Sequence, residues 1–206
     1  MKSLIARRFA GTRPDPPERY RVPGLGGDLP AALERLRPTR LVPAAVLLPI
    51  VEREGGLTML FTVRAADLRH HAGQVSFPGG RLDPCDPGPR EAALREAAEE
   101  VSLAPGLVEV AGYLPNYLTI TGYSVTPVIG FVAPEFEPAP DHTEVSEAFE
   151  VPLEVLLEPG NMRLRHKRYL GVRLPFFEMP WESHRIWGAT AAMLVNFRDM
   201  LREPDA

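Results

Sequence analysis

The part of the sequence best suited to chemistry is an acidic segment that follows a pair of glycines. Residues 91–101 alternate apolar and acidic side chains with a helical period of ~100° per residue. Glu96 and Glu100 are one turn apart, and Glu99 is the neighbour of Glu100. Such i,i+4 pairs of like charge destabilise an isolated helix by ~0.2–0.5 kcal/mol each. A divalent metal ion would reverse that sign, so the pattern indicates a cation site.

The same helix has an apolar half that is suited to a protein core. That half consists of Ala93, Leu94, Ala97, Ala98 and Val101. Arg95 lies on the acidic half, between Glu91 and Glu99. Two roles are open for this arginine: it orients a neighbouring carboxylate, or it clamps a phosphate directly. The pattern as a whole predicts an amphipathic helix with one acidic, chemically active face.

Composition sets the broad class of the protein. The 206 residues are 45% hydrophobic, which suits one globular domain, and the net charge of −4 argues against sequence-independent binding of nucleic acid. Cys85 is the single cysteine, so no internal disulfide can form, as is usual in a reducing compartment. No apolar run approaches the ~20 residues of a membrane span. We expect a cytoplasmic protein, a monomer or a homodimer, with neither nucleic acid nor membrane as a partner.

Strand and helix patterns alternate along the chain. Two apolar runs joined by residues 54–56 predict a β-hairpin, and Pro175 predicts an edge or a bend in a later strand. The predicted strands are 41–51, 57–63, 108–114, 125–133 and 169–177, and the predicted helices besides the acidic one are 28–36, 153–157 and 189–201. Residues 11–30 predict an irregular arm. The order predicts a single α/β domain over residues 41–206, covered on both faces of its sheet, with an arm and short helix in residues 1–40 packed on it.

The glycine pair and the acidic helix together resemble the box of the Nudix hydrolases. That box has a glycine, a glutamate after five residues, and then an Arg-Glu-x-x-Glu-Glu helix. Here the matching positions are Gly80, Arg95, Glu96, Ala97, Glu99, Glu100 and Leu103. There are three departures: Asp86 replaces the first glutamate, the spacing from it to Arg95 is one residue longer, and Ser102 replaces the final glycine.

A second signature lies just upstream and is similar to that of the coenzyme A pyrophosphatase branch of this family. Its positions are Leu60, Thr62, Arg64, Arg69, Gly73, Phe77, Pro78, Gly79 and Gly80, with Phe61 and Ala65 in place of the usual Leu and Ser. The two signatures together run from Leu60 to Leu103. Residues 186–190 farther along the chain also resemble this branch.

The resemblance implies a fold, a cofactor and a reaction. The fold is a Nudix-like α/β/α sandwich with a mixed β-sheet. Glu96, Glu99 and Glu100 would bind Mg²⁺ or Mn²⁺, which prefers carboxylate oxygens and supplies an activated water. The reaction is hydrolysis of the pyrophosphate bond of coenzyme A or its derivatives to adenosine 3′,5′-bisphosphate and 4′-phosphopantetheine. Two alternatives stay open: another nucleoside diphosphate derivative (an ADP-sugar, a dinucleotide or an NTP) as substrate, or a ligand sensor that has lost turnover.

The resemblance also suggests substrate-binding residues. Arg64 and Arg69 are candidates for the phosphates, because guanidinium groups make bidentate contacts with them. Gly73, Phe77, Gly79 and Gly80 complete the predicted substrate site. Arg165 belongs to a basic cluster over residues 163–168 that either meets the 3′-phosphate of coenzyme A or forms a solvated turn.

The general base is the least determined part of the sequence. Several Nudix enzymes take it from a glutamate in a loop, and residues 141–147 form a polar loop of this kind ahead of a predicted strand at 149–151. Glu144 and Glu147 are therefore candidates, and Glu99 is a rival. An ordinary solvated acidic loop is the plain alternative.

Overall fold

A computed structural model describes residues 1–19, 41–68, 71–169 and 172–202, and in these residues the chain forms four α-helices and eleven strands. The helices are α1 (Lys2–Phe9), α2 (Pro89–Val101), α3 (Leu153–Leu157) and α4 (Gly188–Arg202). The strands are β1 (Val42–Arg53), β2 (Gly56–Arg64), β3 (Val75–Ser76), β4 (Gly79–Arg81), β5 (Val108–Tyr113), β6 (Tyr117–Leu118), β7 (Tyr123–Val132), β8 (Val145–Pro152), β9 (Arg163–Tyr169), β10 (Val172–Trp181) and β11 (His184–Trp187). None of the helices in these ranges is long and apolar enough to cross a membrane.

The first eight strands form one mixed sheet around β1. Strand β1 runs parallel to β7 and antiparallel to β2 and β4, and β8 extends the sheet beyond β2. Strands β1 and β2 form the predicted hairpin, with Arg53 opposite Gly56 at its tip. The mixed sheet of the prediction is therefore confirmed.

Helices cover both faces of this sheet because β1 is apolar on both sides. Ala45 and Leu47 pack under α2, whereas Leu48 and Ile50 face the core formed with α1, α3 and α4. Successive strand residues point to opposite faces, so one apolar strand serves both cores. This arrangement confirms the predicted α/β/α sandwich.

The C-terminal part of the chain differs from the prediction. The single strand predicted at 169–177 is wrong, because its residues divide between β9 and β10, which pair antiparallel and form a second, three-stranded sheet with β11. Pro175 lies in β10 opposite His166 of β9, whereas β11 pairs only with residues 178–181. Within the described chain the proline thus has a strand on one side only, where its missing amide is tolerated.

The N-terminal helix α1 was not predicted. Ile5 and Phe9 are fully buried, and the ring of Phe9 stacks on Phe197 of α4 with centroids 5.5 Å apart. Residues 10–19 contain neither helix nor strand, and the side chain of Asn116 donates to the carbonyls of Asp15 and Pro16. The predicted helix at 28–36 and the rest of the arm lie outside the described residues.

Candidate active site

The acidic helix α2 begins and ends at residues that suit a helix terminus. Pro89 is at its first position, where a proline costs no hydrogen bond, and Ser102 ends it in the left-handed conformation with φ of 59°. The Ala97 side of the helix is buried against the sheet, as the periodicity predicts. Strand β4, with the two glycines, runs beside the helix because it pairs with β1.

The two glycines are required for different reasons. A Cβ on Gly79, whose φ is +153°, would lie 2.6 Å from Cα of Val46 and overlap the carbonyl oxygen of Ala45. A Cβ on Gly80 would instead overlap the carboxylate of Glu96, 2.5 Å from its Cδ. Gly79 thus allows β4 to approach β1, and Gly80 leaves room for a carboxylate of α2 over the turn.

Glu100 is a buried carboxylate, although the helical periodicity places it on the polar half of α2. Its side chain is 2% exposed, and Oε2 accepts a hydrogen bond from the amide of Gly79 at 3.2 Å. A guanidinium nitrogen of Arg64 lies 3.7 Å from Oε1. Burial raises the pKa of Glu100 to about 8, because the Gly79 amide and Arg64 offset the loss of water only in part and Glu96 and Glu144 repel the charge.

Glu96 is the second carboxylate at the glycine turn. Burial raises its pKa, the neighbouring Arg95 lowers it, and repulsion from Glu99 and Glu144 adds to the rise. Arg95 donates to Glu96 Oε1 at 3.0 Å. The site therefore contains several carboxylates whose negative charges are incompletely compensated.

Arg95 connects the acidic helix to the loop before it. It donates to Glu96 and Glu99 at 3.0 Å each, and to both oxygens of Asp86 at 3.2 and 3.0 Å. The hydrogen bonds from Arg95 hold the pKa of the Asp86 carboxyl below its usual range. These contacts favour the orienting role of Arg95 over direct binding of phosphate. From the sequence, Asp86 is only a departure from the box, and its contact with Arg95 is not predictable from the spacing.

The two candidate loop glutamates lie in different places. Glu144 adds repulsion to the charges of both Glu96 and Glu100, so it belongs to the same group of carboxylates. Glu147 lies within β8, which begins four residues earlier than predicted, and its carboxylate lies 3.1 Å from Nε2 of His184. The prediction that Glu147 lies in a loop is wrong, because the pairing of β8 with β2 starts at Val145.

The other predicted substrate residues are divided by the fold. Gly73, with φ of +68°, donates its amide to the carbonyl of Arg64 at 3.0 Å and closes the loop after β2. Phe77 is 2% exposed and stacks on Phe61, so it supports the glycine turn from the core and offers no surface to a substrate. Arg69 lies outside the described residues.

Arg165 lies on the second sheet rather than beside α2. Its Nε donates to Glu178 Oε1 at 2.8 Å, and Arg185 binds the other oxygen of that carboxylate. These bonds lower the pKa of Glu178. The β9 residues 163–168 are all exposed, and β11 packs against β3, which leads into the glycine turn.

The donor set suits a hard divalent cation. Glu96, Glu100 and Glu144 offer carboxylate oxygens that repel one another, and a cation among them would relieve that repulsion. Over the described ranges, however, no three His, Cys, Asp or Glu side chains are grouped closely enough to hold a metal ion as they stand. On α2 the side chain of Glu99 is 60% exposed and bonded to Arg95, whereas that of Glu100 is 2% exposed.

The chain is similar in sequence to known proteins of one family. The model of the NUDIX domain matches residues 41–170. A relative described as an uncharacterized Nudix hydrolase, NudL, from Escherichia coli O7:K1 is 43% identical over 152 residues, which cover 73% of this chain and 78% of that protein. NudL of Shigella boydii serotype 4 is 44% identical over the same length. Among solved structures, the Nudix hydrolase RenU from M. smegmatis is 22% identical with a TM-score of 0.48, covering 69% of this chain and 86% of that one.

Proposed function

The chain belongs to the NUDIX domain family, the hydrolases of pyrophosphate bonds, and from this premise we propose that its substrate is coenzyme A or a derivative of it. The products are adenosine 3′,5′-bisphosphate and 4′-phosphopantetheine. One observation carries the choice of substrate. Arg64 of the coenzyme A signature lies 3.7 Å from Glu100 of the acidic helix, so the two signatures meet at one site.

In this proposal Glu96, Glu99 and Glu100 hold the cofactor, Mg²⁺ or Mn²⁺. The bound cation neutralises charge on the phosphoryl oxygens and lowers the pKa of a bound water. Glu100 is oriented by the amide of Gly79, and Glu96 by Arg95. Glu99 must leave Arg95 to join them, which its exposed position on the helix permits.

The remaining roles are proposed from the charges that act on Glu96 and Glu100 and from the coenzyme A signature. Glu144 is the general base that accepts the proton of the attacking water, because it is the loop glutamate whose charge acts on Glu96 and Glu100. Arg64, and Arg69 of the same signature, bind the phosphates of the substrate. Water then attacks one phosphorus, the bridging P–O bond breaks, and the released phosphate ester carries the electron pair away.

The test is a product assay by mass spectrometry with Mg²⁺ and a panel of substrates: coenzyme A, ADP-ribose and a dinucleoside polyphosphate. We expect both products of coenzyme A cleavage, and a higher kcat/KM for coenzyme A than for the others. Glu100→Gln is the control for the metal site and should be inactive while folded. Hydrolysis of coenzyme A no faster than that of ADP-ribose would overturn the choice of substrate.

The 3′-phosphate is the group that separates coenzyme A from simpler nucleotides, and Arg165 is our proposed contact for it. Arg163 and Lys167 lie on the same face of β9 as Arg165, because alternate residues of a strand share a face. Neutralising these three residues together should raise KM for coenzyme A more than KM for dephospho-coenzyme A. Equal changes for both substrates would remove the 3′-phosphate from the role of Arg165.

A further inference from the structure

The end of the metal-binding helix is joined to a loop that contains the proposed base. We call residues 139–144 the Asp141 loop. Its amides at Ala139 and Asp141 donate to the carbonyls of Val101 and Glu100, at 3.1 and 2.9 Å. Because both bonds use backbone groups, they place the loop beside α2 whatever side chains the sequence provides.

One further bond to this loop comes from a side chain. The hydroxyl of Ser102 donates to the carbonyl of Ala139 at 3.1 Å. Ala139 is therefore held through its amide by Val101 and through its carbonyl by Ser102. A residue bound through one group can pivot about that bond, whereas two bonds fix the orientation of its backbone.

The rest of the loop carries this orientation to Glu144. The carboxylate of Asp141 accepts from the amide and the hydroxyl of Thr143 at 2.9 and 2.8 Å, which makes a tight turn. The carbonyl of Glu144 then accepts from the amide of Ala65, the residue after Arg64, at 2.8 Å. Both ends of the loop are thus anchored to elements of the active site.

Ser102 occupies a position where glycine would be easier. Its φ of 59° and ψ of 28° are left-handed, and this conformation costs a serine more free energy than it costs a glycine. The hydroxyl of Ser102 donates the hydrogen bond to Ala139, which a glycine at this position could not do. We propose that Ser102 is a positioning residue, which sets the Asp141 loop, and with it Glu144, relative to the metal carboxylates of α2. This inference rests on the proposed function.

Three variants of Ser102 separate positioning from capping. Ser102→Gly removes the hydroxyl and relieves the backbone, so we expect a melting temperature equal to or above that of the wild type. Its kcat for coenzyme A should fall about fivefold, the effect of one neutral hydrogen bond, with KM little changed. Ser102→Ala should lose the same activity and also some stability. Ser102→Asn should recover most of kcat, because asparagine tolerates the left-handed conformation and its amide can donate to Ala139.

A second measurement does not depend on turnover. Hydrogen–deuterium exchange of the Asp141 loop should be faster in Ser102→Gly and Ser102→Ala than in the wild type and Ser102→Asn. Ser146→Ala is the matched control, since it removes a hydroxyl–carbonyl bond of 3.1 Å to Val63 that does not touch α2. It should leave kcat and exchange in the loop unchanged.

The outcomes distinguish the inference from the proposed function. An active wild type whose Ser102→Gly variant keeps full kcat would show that Ser102 is only a helix cap. Unchanged exchange in Ser102→Gly would overturn the inference even if the wild type failed to cleave coenzyme A. If the wild type fails to hydrolyse coenzyme A but exchange in the loop is faster in Ser102→Gly, the substrate assignment is overturned. The link between Ser102 and the loop is then retained.

Discussion

The two adjacent glycines in β4 should respond differently to an added methyl group, Gly79 mainly through stability and Gly80 mainly through metal affinity. Gly79→Ala places a Cβ against backbone atoms of β1, which cannot rotate away, and does so at a φ of +153°. Backbone strain of this kind costs ~1–3 kcal/mol, and displacing a central strand adds to it. We expect the free energy of unfolding to fall by ~3 kcal/mol, which lowers the melting temperature by ~6–12 °C for a domain of this size.

Gly80→Ala places its Cβ against the end of a side chain instead. Glu96 can swing aside at a rotamer cost of ~0.5–1.5 kcal/mol, so the free energy of unfolding should fall by no more than ~1.5 kcal/mol. To bind the cation, Glu96 must then return against the new methyl group, and it does so without its hydrogen bond from Arg95. A hydrogen bond to a charged group contributes ~1.5 kcal/mol at the low end of its range, which corresponds to about a tenfold weaker metal affinity.

The assay has two parts for each variant. Thermal unfolding in the presence of a chelator measures the fold without metal, and titration with Mn²⁺ followed by electron paramagnetic resonance measures the affinity for the ion. A Gly79→Ala variant as stable as the wild type would refute the close approach of β4 to β1. A Gly80→Ala variant with wild-type affinity for Mn²⁺ would refute the assignment of Glu96 as a ligand.

Three further predictions concern the carboxylates around α2. Glu144→Gln should lower kcat by at least about 100-fold, as loss of a general base does, whereas Glu147→Gln should retain activity. Steady-state kinetics of the two variants measures this, and an equal fall in kcat for both would reject Glu144 as the base. Asp86→Asn should destabilise the protein at neutral pH, because Asp86 has a lowered pKa in the folded state and its ion pair with Arg95 stabilises the fold above the unfolded pKa. That difference should shrink as the pH falls below the unfolded pKa and towards the lowered pKa, and urea unfolding at a series of pH values from neutral downwards measures it. A difference that stays constant as the pH falls would exclude the ion pair as its cause. Mg²⁺ should raise the melting temperature of the wild type but hardly that of Glu100→Gln, and an equal rise in both would place the ion elsewhere.

Helix α2 and the β1–β2 hairpin were predictable from the sequence because both depend on local patterns. The period of the apolar residues in α2 and the alternation across the β1–β2 turn are contained in short windows of sequence. Helix α1 has no such signal, since eight residues are too few to form a stable helix alone. It forms because Ile5 and Phe9 pack in one hydrophobic core with residues of α4, which are far from them in the sequence.

The burial of Glu100 shows why part of the site was not predictable. A helical wheel gives the angle of a residue around its own helix, but not the elements that surround it. Glu100 is buried by contacts with β4 and with the end of β2, which are far from it in the sequence. Glu147 illustrates the same point in a strand, since the start of β8 decides which side chains remain in the loop.

The departures from the family pattern are compensated within the structure. An aspartate is one methylene shorter than a glutamate, and at Asp86 one extra residue before Arg95 accompanies the shorter side chain. Both of its oxygens reach the guanidinium, at 3.2 and 3.0 Å. At the other end of the helix, Ser102 accepts the conformation of the missing glycine and gains a bond to the Asp141 loop. Both adjustments fix an end of α2, and the helix between them keeps all three glutamates of the box, Glu96, Glu99 and Glu100, which argues for a working hydrolase rather than a ligand sensor.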